Sequence, residues 1–213
     1  MDRKYIAILL LALSPLAAHA GIRSEIARDM DEARQEVRTE MAQERIKLDR
    51  ENLSLGDSLH FGKDDKPEAS KRKSLPKGEI TPRGDLLVEG KAVAIDATQR
   101  RQLLDYRAQV IDLARLGLDA GEQAAMLAID ATDVSLFQLV VGGLSGSIER
   151  RVETAVRRDI QPAVLKICRQ LPQLRDSQQA LAASVPEFRP YATLDDDDVA
   201  DCESDIRDDL ATR

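Results

Sequence analysis

The chain has 213 residues, 32% of them charged and 3% aromatic, with no tryptophan and a net charge of −7. That length makes one domain, or one domain with extensions. Large aromatic side chains carry much of the burial energy in compact cores, so this composition points to an extended helical assembly rather than a dense globule. Nine carboxylates between Asp195 and Asp209 face Arg207 alone, which leaves the rest close to neutral. Nucleic-acid binding, which leaves a basic footprint, is excluded; only Lys71-Arg72-Lys73 is strongly basic.

The chain opens as a secretory signal peptide. Arg3 and Lys4 form a positive start, Ile6 to Leu16 is nearly unbroken apolar sequence, and Ala18-His19-Ala20 is a small-x-small cleavage site. The apolar run is about eleven residues and contains Pro15, short of the roughly 20 that span a bilayer. Cleavage between Ala20 and Gly21 is expected, releasing an exported protein that starts at Gly21.

From Ile22 to Arg50 the spacing predicts one long charged helix. Ile26, Val37 and Leu48 are eleven residues apart, as are Met30 and Met41, a period of about 3.67 residues per turn. The stripe is narrow and cannot bury enough surface alone. It calls for a partner: another helix of this chain, a second copy, an envelope protein or a membrane surface. Leu53 and Leu55, and then Leu59 and Phe61, alternate with polar residues as short strands do. Gly62 to Gly78 has no apolar period and reads as a disordered linker.

Glu79 to Ile95 is the one clear β region. Turn signals at Pro82-Arg83-Gly84 and Glu89-Gly90-Lys91 separate Ile80, Leu86 to Val88, and Val93 with Ile95 into a three-stranded meander. Asp96 and Gln99 form a capping box for a helix with Leu103, Leu104, Val110, Ile111, Ala114 and Leu118 on its apolar face. Tyr106 and Leu113 lie beside that face, and Gly117 is expected to end or bend the helix. A second helix follows from about Asp119, becoming apolar nearly all round at Val134 to Val141 before Gly142-Gly143-Leu144-Ser145-Gly146-Ser147. Ser147 fits an N-cap for a third helix, in which Pro162 must kink the chain or restart it. After Pro172 the stripe continues to Phe188 with Gln178 as its only polar interruption, and Pro186 and Pro190 close it. Val199, Cys202, Ile206 and Leu210 give the acidic tail a stripe of its own, with Asp195 to Asp198 at its positive end.

Asn52-Leu53-Ser54-Leu55, then Leu75-Pro76-Lys77-Gly78-Glu79-Ile80-Thr81-Pro82-Arg83-Gly84-Asp85-Leu86-Leu87-Val88-Glu89-Gly90-Lys91, then Gln102-Leu103-Leu104-Asp105-Tyr106-Arg107 resemble the YggN-like proteins. These are a proteobacterial family of exported proteins described as a domain of unknown function. The resemblance runs from about Arg34 to Tyr191; the charged linker and the acidic tail depart from it. It implies a periplasmic address in a Gram-negative bacterium, and neither a catalytic residue nor a ligand.

The residue types for most chemistries are missing. His60 is the only histidine after Gly21, too little for a triad or a zinc site. Gly142 to Ser147 lacks the Lys-Ser/Thr of a phosphate loop. The acidic run lacks the glycine and glutamate of an EF-hand, leaving weak divalent binding or a solvated helix end as alternatives. Cys168 and Cys202 form no Cys-x-x-Cys motif, and in an oxidising compartment an even pair reads as a disulfide.

The expected fold is mainly α (α+β): a signal peptide over 1–20, a charged helix and short strands over 21–61, a linker over 62–78, a β-meander with a helical bundle over 79–194, and an acidic tail helix over 195–213. No catalytic residue, metal site or cofactor is assigned. The expected function is a non-catalytic periplasmic interaction or structural module, acting through an envelope partner or self-association of the N-terminal helix. The alternative is a membrane-surface or lipid-binding protein using 134–144; a hydrolase ranks third.

Overall fold

A computed structural model describes residues 15–55, 75–141 and 153–211, with side chains over 25–55, 75–132 and 153–202 and at Ser204. It is mainly helical with a small antiparallel sheet. Helix α1 spans Pro15–Arg50, strands β1 Leu53–Leu55, β2 Gly78–Ile80, β3 Leu86–Val88 and β4 Lys91–Ala92 follow, and helix α2 spans Ala97–Val141. A π-helical turn at Val156–Ile160 leads into α3, Gln161–Ser184; a 3-10 turn at Pro186–Tyr191 precedes α4, Asp196–Ala211.

The sheet has four strands in the order β1-β2-β3-β4, not three. Leu53 to Leu55 pairs with Gly78 to Ile80 on the far side of the linker, a long-range pairing that local spacing cannot reveal. The last strand is Lys91–Ala92 rather than Val93 to Ile95. Its hairpin turns on Glu89 (φ 50°) and Gly90 (φ 74°), the two left-handed residues of a tight two-residue loop. Gly78, expected to end the linker, belongs to β2. The Tyr191 ring lies over it, so that a Cβ at this position would meet the ring at 2.5 Å. The Tyr191 hydroxyl then donates to the Pro76 carbonyl at 2.9 Å.

The capping box at the start of α2 is present in both directions. The Gln99 and Thr98 amides donate to Asp96 Oδ1 at 2.8 and 2.7 Å, and the Asp96 amide donates to Gln99 Oε1 at 2.8 Å. Gly117 does not end this helix: α2 is one continuous helix of 45 residues through Gly117 and Gly121. A glycine in a helix interior costs only about 1 kcal/mol, and packing on both sides outweighs it. Leu104 is 37% exposed, while Tyr106 and Leu113 join the core.

The core lies at the sheet end of the molecule. Ile80 and Leu86 of the sheet, Leu103 and Val110 of α2, and Leu171, Leu174 and Leu181 of α3 meet Phe188 and Tyr191 of the 3-10 turn. Tyr106, Phe188 and Tyr191 pack edge to face, with ring centroids 5.4 and 6.2 Å apart, a favoured quadrupole geometry. Gln178, the polar interruption, is buried and fully engaged. Its Nε2 donates to the Tyr106 hydroxyl and the Tyr191 carbonyl, both at 3.2 Å, and its Oε1 accepts from the Leu194 amide at 2.8 Å.

α1 lies antiparallel along α2. Arg34 bonds Asp130, Arg45 bonds Asp119, and Arg115 bonds Asp49; each step along α1 matches an equal step back along α2. The expected stripe (Ile26, Met30, Ala33, Val37, Met41, Leu48) is half-buried along this seam, joined by Arg34 and Arg45. Of the partners open to the stripe of α1, the described residues show another helix of this chain: α1 docks on α2, and β1 extends the sheet.

Candidate functional site

α2 is the central helix, with α1 and α3 each packed along it and, among the described residues, no comparable contact between those two. The space left between them is a groove of about 640 Å³. Its floor is one face of α2: Asp119, Glu122, Gln123, Met126, Leu127 and Asp130, at the three- and four-residue spacings that align side chains on a helix. Arg38 and Arg45 of α1 form one wall; Arg158, Asp159 and Pro162 form the other.

The second wall takes its shape from Pro162. A proline has no N–H to return to the preceding turn and its ring crowds the carbonyl four residues back. The ladder shifts accordingly, and the Gln161 amide bonds the Val156 carbonyl five residues back. Of the two sequence expectations, kink or restart, the outcome is a π turn followed by a new α-helix with Pro162 in its first turn. Such turns recur at functional sites, and this one sets Arg158 and Asp159 at the groove.

Most charges here are engaged. Arg45 Nη2 reaches both Asp119 Oδ1 and Glu122 Oε2 at 2.7 Å. Hydrogen bonds to Glu122 and then Asp119 hold its guanidinium above the ordinary value, against a smaller opposing effect of burial. Arg34 is raised chiefly by Asp130, at 2.9 Å. Arg158 and Asp159 pair at 2.7 Å, which raises the first and lowers the second. Arg38 has no ion pair among the described residues.

The seam that holds this wall is fixed at its sheet end by Arg107, which is 8% exposed. Its Nη2 donates to the Leu48, Asp49 and Glu51 carbonyls at 2.9, 3.1 and 2.9 Å. A cation on the last carbonyls of a helix satisfies both their lone pairs and the negative end of the dipole. Burial lowers the Arg107 pKa from its ordinary value.

Cys168 and Cys202 are joined, 34 residues apart in sequence, and this bond ties α4 to α3. α4 has other holds besides this bond. Asp195 and Asp198 cap its start reciprocally at 2.9 and 3.2 Å, Arg175 pairs with Asp196, and Val199 packs on the core.

Ala20 and Gly21 lie within α1, and their side chains are outside those described. His60, Gly142 to Ser147 and most of the linker lie outside the described residues. The 134–144 segment is described as helix only to Val141, without its side chains. No described helix is long and apolar enough to cross a membrane, and the described residues contain no group of three or more His, Cys, Asp or Glu placed to hold a metal.

Sequence reasoning missed the groove because its floor and walls come from three helices far apart in the chain. One signal was legible: the apolar stripe of α1 skips from Met41 to Leu48, and Arg45 fills that gap, eleven residues after Arg34. No family model, curated protein or solved structure matches the chain.

Proposed function

We propose that this protein is an exported, non-catalytic module of the cell envelope that works by binding another polypeptide. The observation that carries the reading is the groove between α1, α2 and the π turn, whose Met126 and Leu127 floor is only half-buried. A concave, mixed apolar and charged surface on a rigid helical frame suits recognition. The groove's carboxylates are tied up in arginine pairs. The export segment ending at Ala20 and the Cys168–Cys202 bond support an oxidising compartment.

Two measurements test it. Osmotic shock releases a protein whose intact mass begins at Gly21; a full-length cytoplasmic product defeats the export reading. Vesicle co-flotation separates polypeptide binding from the membrane-surface alternative built on 134–144: the mature protein stays in the soluble fraction at physiological salt. Flotation with vesicles of zwitterionic and anionic lipid favours the alternative.

A further inference from the structure

We propose that the Cys168–Cys202 bond is a thiol-exchange site on the folded protein: an external thiol enters at Cys202, and a positively charged one is preferred. The two cysteines differ in access. Cys168 of α3 is 0% exposed, whereas Cys202 of α4 is half-buried. A thiolate attacks one sulfur of a disulfide and expels the other, and the sulfur within reach is that of Cys202. The new bond joins the incoming sulfur to Cys202. The electron pair of the broken bond leaves on Cys168, which takes a proton from water. A second thiol then attacks the incoming sulfur, so both cysteines end as thiols and the two external thiols as one disulfide.

Charge around the bond selects the thiol. Asp198, Asp201, Glu203 and Asp205 lie within four residues of Cys202, with no cation among them. Around Cys168 the same span holds Lys166 and Arg169, so carboxylates outnumber cations at the bond. Arg175, further along α3, is engaged by Asp176 and Asp196. An arriving thiolate is itself an anion and is opposed there, whereas an ammonium group on the same molecule offsets that repulsion. The consequence reaches the fold. Val199 and Cys202 both pack against the core, so a thiol bound to Cys202 stands in the seam between α3 and α4. It keeps α4 displaced until the second step removes it.

The test uses the mature, disulfide-bonded protein in native buffer with 2-aminoethanethiol, 2-mercaptoethanol and 2-mercaptoethanesulfonate. Early mixed disulfides are trapped with acid and located by peptide mass. The adduct should sit on Cys202 about tenfold more often than on Cys168, because access decides which sulfur is attacked. Rates are each divided by the same thiol's rate with a small neutral disulfide. They should fall about threefold from the cationic to the neutral thiol, and again to the anionic one, at about 10 mM salt. At about 1 M salt the three should converge. Adducts shared equally or lying mostly on Cys168 overturn the entry at Cys202. So does a rate that climbs with urea well below the unfolding transition, because α4 then undocks before attack. Equal rates for the three thiols, or an order that survives high salt, overturn the charge preference.

Discussion

Gln178→Leu removes the one buried polar side chain that ties α2, α3, the 3-10 turn and the start of α4 together. Leucine fills nearly the same volume, so the cost is in hydrogen bonds, not in a cavity. The Leu194 amide loses its acceptor at 2.8 Å and the Tyr191 carbonyl loses its donor at 3.2 Å, both in buried residues. Each stranded group costs about 1–3 kcal/mol, and apolar burial of the new side chain offsets about 1 kcal/mol. The net loss is about 1–5 kcal/mol, which lowers Tm by about 2–20 °C in a chain of this size. Urea melts give the free energy, and amide exchange gives the location: Leu194 should lose protection before Leu171 or Leu103 does. A loss below about 1 kcal/mol, with Leu194 still protected, refutes the role of Gln178 as the polar tie of the core.

Gly117→Ala and Gly121→Ala should each raise stability by about 0.5–1 kcal/mol, because a Cβ at either site meets nothing within 4 Å; a lower Tm in thermal melts contradicts an α2 that is helical and uncrowded at both glycines. Asp85 has its pKa held below the ordinary 3.8 chiefly by its hydrogen bond from Arg100. The stabilisation it gives is therefore complete above that value and lost as pH falls through the folded pKa. Asp85→Asn should lie below wild type in stability above about pH 5, with the gap closing below pH 4; a pH-independent gap in acid melts contradicts the pairing. Reducing Cys168–Cys202 opens a loop of 34 residues, worth on the order of 3–4 kcal/mol by chain entropy. Hydrogen exchange should rise through α4 after Leu194 while α2 and α3 persist, and unchanged protection of α4 contradicts the tie.

The legible parts of this fold were those written in local spacing. The Asp96–Gln99 capping box, the eleven-residue stripe of α1 and the close of α3 at Pro186 each depend on neighbours within a turn or two. What was hidden needed distant partners. β1 pairs with β2 across the linker, Gly78 is explained by the ring of Tyr191, and Gly117, expected to end or bend its helix, is carried inside a 45-residue one. Arg107 carries no local signal of its role, yet it is buried under the end of α1. The groove shares that origin: charge pairs such as Arg34–Asp130 are 96 residues apart.

Site-specific photo-crosslinking in living cells tests whether the groove binds a polypeptide. A photoreactive residue at position 126, on the groove floor, is compared with one at position 105, an exposed site elsewhere on α2. Groove binding predicts a discrete protein adduct in the periplasmic or envelope fraction from position 126 and none from position 105. No adduct from position 126, the same adduct from both positions, or crosslinking to lipid alone contradicts it.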